Sequence, residues 1–163
     1  MSKHFVTSAS IAVAMLFACV AISADEKEKE KDAKYKIVCP VSGQPGAKDH
    51  AVKYKGGDVY FCCDNCPKAF EKEPAKFALK ANAQLVGTGQ AKNVKCPLSG
   101  GKLNKEQFAE VDGVKVTFCC GNCKAKVEKA EGEKKSELVF SDAAFAKGFK
   151  VGAISKKEKK DKD

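Results

Sequence analysis

Eight of the nine cysteines fall into two sets of four that coincide on one offset. Cys39, Cys62, Cys63 and Cys66 return 57 residues later as Cys96, Cys119, Cys120 and Cys123, without a gap. Their surroundings return with them. Cys39-Pro40-Val41-Ser42-Gly43 is matched by Cys96-Pro97-Leu98-Ser99-Gly100, and Val59-Tyr60-Phe61-Cys62 by Val116-Thr117-Phe118-Cys119. An ungapped repeat of this kind constrains a fold far more than an isolated CxxC, because it demands the same local structure twice. Each repeat is a unit of about 55 residues, a size at which apolar burial alone leaves little margin and a metal or disulfide staple is expected.

The spacing within a unit is C-x22-C-C-x2-C. A turn at Cys39 lifts one thiol off the backbone, and a strand-to-helix junction presents the others within one helical turn. Cys62 and Cys66 are four apart and Cys63 and Cys66 three apart, so either pair can face one ion at a helix start. A helix N-terminus also favours thiolate over thiol. Cys62 and Cys63, as neighbours on a strand, point to opposite faces, so they share an ion only if the chain turns between them. Three or four thiolates per site are both compatible with the sequence.

In order along the chain, residues 1–24 have the make-up of an export signal: Lys3 and His4, an apolar run from Phe5 to Ile22, then the small pair Ser23-Ala24. A membrane anchor is the plainer alternative for so apolar a run. Leu16-Phe17-Ala18-Cys19 also resembles a lipobox, and Cys19 would then be lipidated and the protein membrane-anchored. Residues 25–34 alternate Glu and Lys as a solvated linker, and 151–163 form a charged tail of the same type. Repeat 1 spans 35–90 and repeat 2 spans 91–150.

Inside repeat 1, the runs 51–54 and 59–62 flank Lys55-Gly56-Gly57-Asp58 as a β-hairpin. Asp64 or Asn65 is placed to cap a helix through Phe70 and Lys72, and a second helix is expected over 75–81 with Phe77 inward. Repeat 2 offers strands 108–111 and 116–119 about Asp112-Gly113, then a helix from Asn122. Beyond Cys123 it decays: Val127 stands where repeat 1 has Phe70, and Glu131-Gly132-Glu133 replaces the run at 73–76. Phe140, Phe145 and Phe149 are expected to cover the second unit, leaving it the less stable of the two.

The segment Phe61-Cys62-Cys63-Asp64-Asn65-Cys66-Pro67-Lys68-Ala69-Phe70, followed by Glu73-Pro74-Ala75-Lys76-Phe77, resembles the YHS domain, and with Cys39 it is similar to the related TRASH domain. Repeat 1 carries the resemblance along its length and repeat 2 carries it through Cys123. The resemblance implies an α+β fold of two treble-clef-like zinc-finger modules and heavy-metal binding in trafficking, resistance or sensing. It implies that Cys39, Cys62 and Cys66 are ligands, and Cys96, Cys119 and Cys123 likewise. Where related knuckles read CxxCG, this chain has Ser42 and Ser99, and Cys63 and Cys120 stand as substitutes for the missing thiol.

Sulfur ligands suit Zn(II) or Cu(I), about two ions per chain, and exclude Mg(II) and Ca(II) as natural guests. The formal charge of +9 comes from 30 basic residues, all of them Lys. Without Arg the bidentate contacts of a nucleic-acid reader are missing, so no nucleic-acid partner is expected. Two filled four-thiolate sites would offset about four of those charges. His50 is unrepeated, with Gln107 at its counterpart position, and reads as a surface residue. No catalytic set can be assembled from so few bases, so the chain reads as a non-enzyme. The expected protein is an exported, periplasmic or secreted metal binder, its partners soft ions and a metal-handling protein. The alternatives are a disulfide-stapled interaction module and a CxxC thiol-redox protein.

Overall fold

A computed structural model of the chain describes residues 35–152. The predicted export segment with Cys19, the linker 25–34 and residues 153–163 of the tail lie outside the described residues. The fold is mixed α+β, with small two-stranded antiparallel sheets and short helices.

Each repeat begins with a knuckle. In the first, the Gly43 N–H donates to the Cys39 carbonyl (2.9 Å) and the Cys39 N–H to the Gln44 carbonyl (2.7 Å). In the second, Gly100 and Cys96 repeat the pattern, at 2.7 Å to Cys96 and 3.0 Å to Gly101. Gly43 and Gly100 sit at φ 75 and 76, a left-handed conformation that explains why glycine closes both turns. A hairpin follows: β1 (Ala47–Tyr54) with β2 (Gly57–Phe61) in repeat 1. Its two-residue turn, Lys55-Gly56, is one pair tighter than the sequence suggests, because Tyr54 already pairs with Gly57. Both turn residues have positive φ, as do Asp112 and Gly113 in repeat 2, the signature of a turn whose twist matches the strands.

Helix α1 (Asn65–Lys72) then starts beside the cysteines. Asp64 takes the N-cap position, but its side chain makes no capping bond; its carboxylate meets His50 Nδ1 at 2.8 Å instead. The expected second helix is resolved into a 3-10 turn (Pro74–Phe77) and a longer α2 (Ala78–Gly87). Phe70 is buried between Phe61 and Tyr54 (ring centroids 5.4 and 5.2 Å), while Phe77 is half-buried at the edge of this group.

Strand β3 (Ala91–Asn93) leads into the second knuckle. The hairpin of β4 (Phe108–Val111) and β5 (Val114–Thr117) and helix α3 (Gly121–Glu128) follow in the same order as before. Val127, fully buried, fills the place held by Phe70. The chain ends in α4 (Gly132–Phe140), α5 (Asp142–Gly148) and β6 (Phe149–Val151). Strand β6 pairs with β3, so Val151 closes a strand where the sequence suggested the start of the tail.

All described residues belong to one compact unit, and one hydrophobic core runs through both repeats. The C-terminal helices are a shared cover. Helix α4 packs on α2 of repeat 1 as well as on α3 and β4 of repeat 2. The fully buried Asn82 of α2 donates from Nδ2 to the Phe140 carbonyl (2.8 Å) and to Asp142 (3.0 Å). Lys55, from the first hairpin turn, donates to both Asp142 (2.5 Å) and Asn82 (3.1 Å), and its ammonium holds the Asp142 carboxyl below the usual carboxylate range. Among the described residues no helix is long and apolar enough to cross a membrane.

Candidate metal centres

The repeat brings its thiols together twice. The Sγ atoms of Cys39, Cys62 and Cys66 all lie within 4.8 Å of one another, as do those of Cys96, Cys119 and Cys123. Each triad is close enough to hold a metal ion. The knuckle contributes the first thiol, fully buried in both repeats, and the strand-to-helix junction contributes the others.

The spacings are informative. Cys62 lies 3.6 Å from Cys66, and Cys63 lies 3.7 Å from Cys62 and 3.6 Å from Cys66. In repeat 2, Cys119 lies 3.6 Å from Cys120 and 3.7 Å from Cys123. Four sulfurs 2.3 Å from a tetrahedral zinc are about 3.8 Å apart. The chain therefore does bend between Cys62 and Cys63, bringing both sulfurs to one side. Cys63 is outside the triad but within contact of two of its members, and Cys120 is its exposed counterpart. All eight described cysteines are free thiols.

Ser42 and Ser99, standing where a second knuckle thiol is common, each tie the turn to a cysteine. Their Oγ atoms accept from the backbone N–H of Gln44 and Gly101 (both 3.2 Å) and meet Cys62 and Cys119 Sγ at 3.2 and 3.1 Å. The hydroxyls thus brace the turn against the second cysteine. The sequence marked these serines only as absent cysteines. His50, expected at the surface, is part-exposed there and meets the exposed Asp64 carboxylate.

The thiols within a site are electrostatically unequal. Burial pushes the Cys39 thiol up, but the Ser42 side chain and the backbone amides of Ser42, Cys62 and Val41 outweigh it and bring the pKa down to about 7. Cys96 follows the same balance, with Ser99, Cys119 and Leu98, to about 6. The amides of Cys66 and Asn65, at the start of α1, lower Cys63, and that of Cys123 lowers Cys120. Cys66 is driven up by burial and by bonding with the neighbouring thiols, and Cys123 is pushed up to about 12 for the same reasons. Without a cation, each cluster therefore stabilises a first thiolate and resists the last, because like charges this close cannot all form; a metal ion removes that resistance.

A pH dependence follows for the reduced, metal-free protein. Cys39 and Cys96 are depressed from 9.0, so their stabilisation is complete above pH 9 and is lost as pH falls through about 7 and about 6. Cys66 and Cys123 are raised, so theirs is complete below pH 9 and is lost as pH climbs above it. The urea midpoint of the reduced protein in chelator is expected to rise from pH 6 to a maximum near pH 9 and then fall. A midpoint flat across this range would contradict the unequal thiols.

Compared with protein-family models, curated proteins and solved structures, the chain finds no match in any of the three.

Proposed function

We propose that this is a non-enzymatic thiolate metal-binding protein that holds one soft ion, Zn(II) or Cu(I), in each repeat. The observation that carries the reading is the doubled sulfur geometry: two triads within 4.8 Å, built by the same knuckle and the same strand-to-helix bend. Cys39, Cys62 and Cys66, and Cys96, Cys119 and Cys123, are the core ligands. Cys63 and Cys120 are the fourth ligands when the ion is tetrahedral: Cys63 already stands near the required edge length from Cys62 and Cys66, and Cys120 from Cys119. The resemblance to YHS and TRASH domains supports a role in metal trafficking, resistance or sensing, with a metal-handling protein as partner. The apolar N-terminal run supports export, and a lipidated Cys19 is the membrane-anchored variant of that reading.

Anaerobic purification without added reductant, followed by native mass spectrometry, is expected to show about two ions per chain, with eight thiols unavailable to alkylation until a chelator is added. Metal-free protein with its cysteines paired as disulfides would replace this reading with a stapled interaction module.

A further inference from the structure

Both centres are braced by a side-chain amide, yet the two amides come from unrelated places in the sequence. In repeat 1, Gln84 is fully buried on α2. Its Oε1 accepts from the Tyr60 N–H (2.6 Å), while its Nε2 donates to the carbonyls of Tyr60 and Val38 (both 2.9 Å). Val38 immediately precedes Cys39, and Tyr60 lies two residues before Cys62. In repeat 2, Asn93 at the end of β3 accepts from the Thr117 N–H at Oδ1 (2.8 Å) and donates from Nδ2 to the carbonyls of Lys95 (2.8 Å) and Gly148 (3.2 Å). Lys95 immediately precedes Cys96, and Thr117 lies two residues before Cys119.

The backbone partners Val38 and Tyr60 map onto Lys95 and Thr117 by the 57-residue offset of the cysteines, whereas Gln84 and Asn93 do not map onto each other. The same bridge has been built twice from different residues. An amide suits the task because it has an acceptor and two donors on one rigid plane, so it can tie an N–H of one segment to a C=O of another. In repeat 1, Gln90 extends the arrangement by bonding both the N–H (2.6 Å) and the carbonyl (2.7 Å) of Asp58, so side chains occupy the outer edge of β2 as a third strand would. In repeat 2, Gly148 takes part: its carbonyl receives Val94 and Lys95 N–H, and a side chain at 148 would fall 2.8 Å from Pro97 of the knuckle.

We infer that Gln84 and Asn93 are positioning residues for the two metal centres, each fixing the distance between the knuckle cysteine and the strand cysteine of its own repeat. This rests on the metal-binding reading above. Neither residue reaches a sulfur in the hydrogen-bonding pattern described; each acts through the backbone that carries two of the thiols. Groups that orient ligands in this way typically change metal affinity by about 10–100-fold when removed. Gln84, fully buried, stands at the upper end of that range; Asn93, which also makes three bonds but is half-buried, stands at the lower end.

The test uses the full chain loaded with Cd(II), whose NMR signals are assigned to the two centres with Cys66→Ser and Cys123→Ser, and a competing chelator. Gln84→Leu is expected to weaken the first centre about 10–100-fold and leave the second within about twofold. Asn93→Leu is expected to do the reverse, with a loss near about tenfold. Gln84→Glu, of nearly the same shape, keeps the acceptor but sets oxygen against two carbonyls, and is expected to match Gln84→Leu; it carries the comparison if the leucine variant fails to fold. Equal weakening of both centres, or of neither, overturns the inference. A metal-free readout separates it from the reading it rests on. Exchange of the Tyr60 amide is expected to accelerate in the Gln84 variants and that of Thr117 in Asn93→Leu, while the other amide stays protected. If the unaltered chain binds no Cd(II) yet these exchange patterns hold, the metal reading falls and the bracing role stands as a structural one only.

Discussion

Removing both ions from the loaded protein is expected to lower its melting midpoint by about 16 °C or more, in a single transition common to the two repeats. An ion bound to the folded state at about a thousandfold over its dissociation constant adds roughly 4 kcal/mol, so two sites add about 8 kcal/mol. At 2–8 °C per kcal/mol for domains of this general size, the shift is roughly 16 °C at its lowest. The single transition follows from the packing. Asn82 of repeat 1 is bonded to the carbonyl of Phe140, Lys55 of the first hairpin is bonded to Asp142, and one core joins Phe61 and Phe70 to Val116, Phe118 and Val127. Read by the cysteine repeat alone, the second unit should lose its structure first. The shared cover argues instead that neither unit can open without exposing the other. Calorimetry with residue-resolved NMR at successive chelator concentrations checks this, and two separated transitions would restore the picture of independent modules.

What the sequence made legible was local. The knuckles, the hairpins and the helix starts are each specified by a few adjacent residues: Gly43 and Gly100 at left-handed φ, Lys55-Gly56 and Asp112-Gly113 at the hairpin tips, cysteines at the strand ends. Repetition of these signals placed six of the site cysteines in two triads. Helix α2 was harder to read because its apolar pattern is interrupted by Asn82 and Gln84, and both of these are inside. A polar residue in a helix is ordinarily a mark of the solvent face; here the partners that satisfy it lie 24 to 60 positions away. The bracing role of Gln84 was missed for that reason. Only an amide flanked by apolar residues, as in Ala83-Gln84-Leu85-Val86, hints at such a role. The shared cover was missed because Phe140, Phe145 and Phe149 announce that they will be buried without saying against what.

Phe140→Ala is expected to destabilise the protein by about 3–5 kcal/mol and to loosen both metal centres together. Phe140 is fully buried, its ring 6.0 Å from that of Phe149, which in turn stacks on Phe145 at 5.3 Å. The Lys55 ammonium, 5.0 Å from the Phe145 ring, brings the first hairpin turn into the same group. Truncating the phenyl ring removes its transfer free energy and leaves a cavity between α4 and its neighbours, and a close-packed interior collapses only partly into such a space. The loss is spread over both repeats because α4 packs against α2 as well as against α3 and β4. This is the opposite signature to that of the bracing amides, whose variants act on one centre at a time. Urea unfolding followed by amide exchange in both hairpins is the measurement. If Val116 and its neighbours lose protection while Val59 and its neighbours keep theirs, the aromatic cover serves repeat 2 alone, and the cooperative transition expected on metal removal fails with it.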